Sequence, residues 1–82
     1  MKNKTEEEVR LRENIRLNLI QCRQSANLTQ TDVGNLIGRT KGAVASWEQG
    51  KSLPDVQSLY LLARHYGKTL EYMYGEYNEK EE

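Results

Sequence analysis

Lys41, Gly42, Ala45, Ser46 and Gln49, with Lys51 close behind, are the residues of this sequence whose types and spacing suggest a chemical task. At 100° per residue the first five share one face of a helix, and Val44 and Trp47 lie on the opposite face. A face of small and polar side chains suits hydrogen bonding to a partner, whereas the opposite face suits packing. Bond-breaking chemistry has no such cluster. His65 is the single histidine and Cys22 the single cysteine, too few for a zinc site or an internal disulfide. Asp32 and Asp55 stand at helix-capping positions and do not form an acid–base pair. There is no glycine-rich phosphate loop, nucleophile elbow or metal-spaced cluster. The chain is therefore read as a non-enzyme, with no catalytic residue, metal ligand or cofactor.

Five helices are expected to position that face. Thr5 with Glu8 reads as a capping box, so a first helix begins at about Glu6, with Leu11, Ile15, Leu19, Cys22 and Ala26 on its core stripe. Asn27 suits a left-handed stop. Thr29 caps a second helix, with Val33, Leu36 and Ile37 inward and a stop at Gly38. Thr40 caps the third, which carries Val44 and Trp47 inward and ends at Gly50. Asp55 caps the fourth, striped by Val56, Leu59, Leu62, Ala63 and Tyr66 and stopped by Gly67. Thr69 caps a short fifth, with Leu70 and Met73 inward. Gly34 in the middle of the second helix costs about 1 kcal/mol against alanine, and close approach of a second helix backbone is the expected offset. A small residue at 34, a turn glycine at 38 and an apolar residue at 44 meet the steric needs of a helix-turn-helix at about residues 29–49. In such a motif the second of the two helices enters the DNA major groove.

The 82 residues are enough for one domain, and 37% hydrophobic with 29% charged residues implies a modest core under a well-solvated surface. No apolar run approaches the ~20 residues of a membrane span, and the first residues lack the apolar stretch of a signal peptide. Net charge is zero, which by itself argues against a nucleic-acid partner. The distribution argues the other way. Residues 9–68 hold nine basic and four acidic side chains, a surplus of five, while 1–8 carry −1 and 69–82 carry −4. A mildly basic body with acidic ends is compatible with phosphate binding.

Leu28-Thr29-Gln30, Gly38, the run from Val44 to Lys51, Pro54, Leu59, Leu62-Ala63 and Gly67 follow one another at the spacing of a known family. Residues 12 to 75 resemble the phage-repressor-like (Xre-type) helix-turn-helix DNA-binding domain. The resemblance implies an all-α, compact five-helix lambda-repressor-like fold. It also implies roles. Gln30 resembles the glutamine that reaches a phosphate and braces the recognition helix, and Thr29 caps its helix and touches phosphate. Lys41, Gly42 and Ser46 match base-reading positions, and Ala45 offers a methyl contact to thymine. Thr40, Gln49 and Lys51 match positions that hold the DNA backbone. Arg39 stands where the family usually places a small apolar residue, and is expected to swing out to phosphate. Arg23 and Glu48 resemble the family's internal ion pair.

The resulting organisation is a charged extension of the first helix at 1–11, the helix-turn-helix domain at 12–75 and an acidic tail at 76–82. The expected function is sequence-specific binding of double-stranded DNA by a cytoplasmic transcriptional regulator, a repressor with its third helix in the major groove. A homodimer is expected, with Tyr72, Met73, Tyr74 and Tyr77 as the dimer surface and Val9, Leu17 and Ile20 as a second candidate. No membrane partner and no small-molecule effector are implied. The competing reading is an antitoxin-like module that binds a protein partner through the same fold, with DNA binding secondary.

Overall fold

Thr5, Thr29, Thr40, Asp55 and Thr69 each sit in extended backbone and accept a hydrogen bond from the amide three residues on, so each starts a helix. The computed structural model describes residues 5–76. These form α1 (Glu6–Ser25), α2 (Gln30–Ile37), α3 (Lys41–Glu48), α4 (Val56–Tyr66) and α5 (Leu70–Tyr74), and no strand occurs among them. Tyr77, expected at a dimer surface, lies outside the described residues. At Thr29 the cap is reciprocal: its hydroxyl accepts from the Asp32 amide and its own amide donates to the Asp32 carboxylate, at 3.0 and 2.9 Å. Gly38, Gly67 and Gly75 close α2, α4 and α5 in the left-handed conformation, and Asn27 adopts it just beyond α1 with φ 58°.

One core joins all five helices. Ile15, Leu19 and Cys22 from α1 meet Val33 and Ile37 from α2, Val44 and Trp47 from α3, Leu59, Leu62 and Ala63 from α4 and Met73 from α5. The periodicity overreaches at four places. Leu11 and Ala26 are exposed because they lie at the ends of α1, beyond the helices that cover its middle. Leu36 is exposed because Val33 and Ile37 already fill the α2 contact. Val56, the first residue of α4, is 84% exposed, since the helix turns inward only from Ser58 onward. Met73, placed inward by its period, is also one of the residues expected at a dimer surface. It is fully buried in the core, so it cannot belong to the dimer surface expected of it.

Two asparagines of α1 hold α5 in place. Asn14 Nδ2 donates to the Tyr74 carbonyl at 3.1 Å, and Asn18 Nδ2 donates to the carbonyls of Tyr72 and Met73 at 3.1 and 3.2 Å. These carbonyls lie at the end of a helix of five residues, where the Gly75 amide also donates to the Tyr72 carbonyl at 2.9 Å. A helix that short is unstable on its own, and the asparagines together with Met73 fix it against α1.

Gly34 is crowded by the turn and not, as expected, by a neighbouring helix. A Cβ at position 34 would sit 2.5 Å from the Arg39 carbonyl oxygen and 3.3 Å from the Thr40 carbonyl carbon, the backbone that leads into α3. The Arg39 amide also donates to the Gly34 carbonyl at 2.8 Å. Helix propensity favours Gly34→Ala by about 1 kcal/mol. The crowding reverses the sign, and the variant should lose about 1–3 kcal/mol of stability in denaturant unfolding. A gain would show that the turn can move aside.

Candidate nucleic-acid interface

α2 and α3, joined by the turn at Gly38, present most of the side chains expected to bind. Thr29 and Gln30 start α2, Thr40 and Lys41 start α3, and Gln49 and Lys51 follow its last turn. Thr29 and Thr40 use their hydroxyl oxygens to accept cap hydrogen bonds from Asp32 and Ala43. A capping hydroxyl keeps its O–H as a donor for an outside acceptor. Lys41, Gln49 and Lys51 are exposed, and Gly42 is open: a Cβ there would meet only the Thr40 hydroxyl, at 3.8 Å. Ala45 and Ser46 are half-buried, and the Ser46 and Ser52 hydroxyls lie 2.8 Å apart.

Charge at the start of α3 distinguishes it from its neighbours. α1, α2 and α5 each carry an acid in the first turn, and α4, which has none there, starts at the carboxylate of its cap Asp55; each complements the positive end of its helix. α3 carries none there and begins with Lys41. A cation at that end is unfavourable by about 0.3–1 kcal/mol, and an anionic partner removes the penalty. This signal stands in the sequence beside the motif, and periodicity alone passes over it.

The orientation of α3 depends on Glu48, its last residue, which is 7% exposed. Arg23 of α1 donates to its carboxylate twice, Nε to Oε2 at 2.7 Å and NH2 to Oε1 at 3.0 Å. Gln30 of α2 donates through Nε2 to the same Oε1 at 3.0 Å. Arg23 also donates to the Leu28 carbonyl at 2.9 Å, anchoring the loop between α1 and α2. Arg23 and Gln30 thus converge on one carboxylate at the end of α3. The hydrogen bond to Glu48 holds the Arg23 guanidinium above its ordinary pKa despite burial.

Arg39 is engaged within the chain. Its guanidinium donates to the Ile37 and Gly38 carbonyls and to Asp55 Oδ2, all at 3.3 Å, linking the turn to the cap of α4. Asp55 also accepts from the Ser58 hydroxyl at 2.6 Å and the Ser58 amide at 3.1 Å. These bonds from Ser58, with a smaller contribution from Arg39, hold the Asp55 carboxyl down at about 2. Sequence reasoning identifies the cap and misses the link to Arg39, because residues 39 and 55 come together only through the packing of α2 on α4.

The architecture is that of a helix-turn-helix protein. The family model described as "Helix-turn-helix" matches residues 19–73, and the chain belongs to that family. Among curated proteins, the chain is similar to an uncharacterized HTH-type transcriptional regulator, YqaE of Bacillus subtilis (strain 168). The two are 34% identical over 64 residues, which make up 77% of this chain and 55% of that protein. The chain thus spans about half the length of this relative. No solved structure matches it. No helix among the described residues is long and apolar enough to cross a membrane, and they contain no His/Cys/Asp/Glu group suited to a metal ion.

Two measurements test the internal electrostatics. Glu48→Ala leaves the partly buried Arg23 guanidinium without its carboxylate, with only the Leu28 carbonyl to accept from it, and should cost about 3–5 kcal/mol in urea unfolding. For Asp55, the folded carboxyl titrates near 2, below its ordinary 3.8, so its stabilising contribution is present above about pH 4 and is lost as pH falls toward 2. Asp55→Asn should therefore flatten that part of the acid-unfolding profile and leave the neutral-pH slope unchanged.

Proposed function

We propose that the chain is a sequence-specific, double-stranded DNA-binding transcriptional regulator that acts in the cytoplasm as a repressor. α3 enters the major groove, with Lys41, Gly42, Ala45 and Ser46 toward base edges. Thr29, Gln30, Thr40, Gln49 and Lys51 hold the backbone and set the register, and Arg39 joins them by exchanging its 3.3 Å bond to Asp55 for a phosphate. The observation that carries this reading is the acid-free, uncompensated positive start of α3, on a helix whose far end is locked by Glu48. The similarity to the Bacillus subtilis HTH-type transcriptional regulator supports the regulatory role. Occupancy of an operator needs no chemistry beyond binding.

In this reading residues 12–75 form the binding domain, with 1–11 extending α1 and 76–82 forming an acidic tail. A homodimer places two copies of α3 in successive major grooves. The exposed parts of Tyr72 and Tyr74, with Tyr77, supply its contact.

Selection of bound sequences from a random duplex pool at about 0.15 M salt tests the reading. A palindromic motif with half-sites about 10 bp apart supports a dimeric regulator. No enriched motif from a folded protein overturns it in favour of a protein-binding module. On the selected site, Lys41→Ala should cost about 1–3 kcal/mol and relax base preference, whereas Lys51→Ala should weaken selected and random duplexes alike.

A further inference from the structure

We propose that α1 carries a second phosphate-binding site, formed by Arg12 with Arg16 beside the C-terminal end of α3, which extends the contact with duplex DNA beyond the helix-turn-helix. This rests on the DNA-binding reading above.

Arg12, Arg16 and Arg23 are spaced four and seven apart, so they fall on one stripe of α1. Arg23 fixes where that stripe faces, because its guanidinium binds Glu48 of α3. Arg16 lies two turns earlier on the same side. Its NH1 donates to the Glu48 carbonyl at 3.3 Å, and its stem covers Gly50, where an added Cβ would lie 3.3 Å from Arg16 Cδ. Arg12 is one turn farther along and passes beyond the end of α3. Together with Arg16, Val9, Glu13, Gln49 and Gly50 it lines an open groove of about 390 Å³.

The three arginines differ in how their charge is met. Arg23 is neutralised by buried Glu48, and Arg16 is paired with Glu13 at 2.7 Å. Arg12 has no ion pair or hydrogen bond with any described residue, and Glu8, one turn before it, does not reach it. The groove thus presents an uncommitted guanidinium next to Gln49, which the DNA-binding reading places against the sugar–phosphate backbone. A guanidinium's planar fork fits phosphate oxygens in pairs. Such a contact reads no base, so it strengthens binding to every sequence and steepens the salt dependence.

Arg12→Gln and Arg12→Lys in the 82-residue chain, titrated by fluorescence anisotropy with a mixed-sequence duplex of about 30 bp between about 50 and 200 mM KCl, test the site. Each phosphate neutralised contributes a slope of ~0.9 in log affinity against log salt, which is about fivefold in affinity at 0.15 M. Arg12→Gln should lose that factor and that increment of slope, Arg12→Lys should retain the slope, and the thermal midpoints should agree. Unchanged affinity and slope in Arg12→Gln overturn the site while leaving the DNA-binding reading in place. Equal losses in both variants with an unchanged slope assign Arg12 a structural role and also overturn it. A wild-type chain that binds no duplex overturns both the reading and the site.

Discussion

The carboxylate of Glu48 is the constraint on which the rest of the structure depends. It stands at the negative end of α3, where the helix dipole disfavours another negative charge, and it is almost completely removed from water. Both penalties are offset only if donors converge on it. Arg23 and Gln30 do so from two other helices, with three hydrogen bonds onto two oxygens. α3 has eight residues and α2 has eight, each shorter than an isolated helix needs in water. Their relative orientation is therefore set by the core and by this junction, not by either helix alone. The orientation of the α3 face is set by a charge that the face does not display.

α1 acts as the common support. Its 20 residues span about 30 Å, and different stripes of it hold different elements. Arg16 and Arg23 reach the end of α3, Asn14 and Asn18 satisfy the last carbonyls of α5, and Ile15, Leu19 and Cys22 supply core. The helix is polar on average yet indispensable, because its polar residues do the joining. Asn14 and Asn18 are poor helix formers, and in a helix interior they are best explained by partners elsewhere. Those partners are backbone carbonyls some 55 residues away in sequence, which carry no residue-type signal.

Legibility follows the range of the interaction. Local effects can be read directly: Thr5, Thr29, Thr40, Asp55 and Thr69 cap their helices, Gly38 and Gly67 end them, and Asn27 takes a positive φ. Ile15, Leu19, Val44, Trp47 and Leu62 are recognisable as core by period alone. Periodicity gives an angle around a helix and says nothing of whether a neighbour reaches that point. Val56 and Leu11 are exposed for that reason, whereas Met73 is buried as its period requires, which leaves it no surface for the dimer contact also expected of it. For the candidate site, the membership of the α3 face is legible and its internal commitments are not. The tether from Arg39 to Asp55 and the contact of Ser46 with Ser52 depend on loop packing.

A zero net charge obscures the electrostatics because the acids serve inside the fold or at its ends. Asp32 and Asp55 are occupied as caps, Glu48 is buried by arginine, and Glu13 is bound to Arg16. Lys41 and Lys51 keep their charge toward solvent at opposite ends of α3. Between them Gly42 leaves bare helix and Ala45 adds a single methyl, so the face offers few groups able to discriminate bases but allows close approach of the helix itself. On the DNA-binding reading, proximity and phosphate contacts then carry most of the affinity. On the same reading discrimination falls to Lys41 and Ser46, and the proposed homodimer would double so small a reading surface and make it selective.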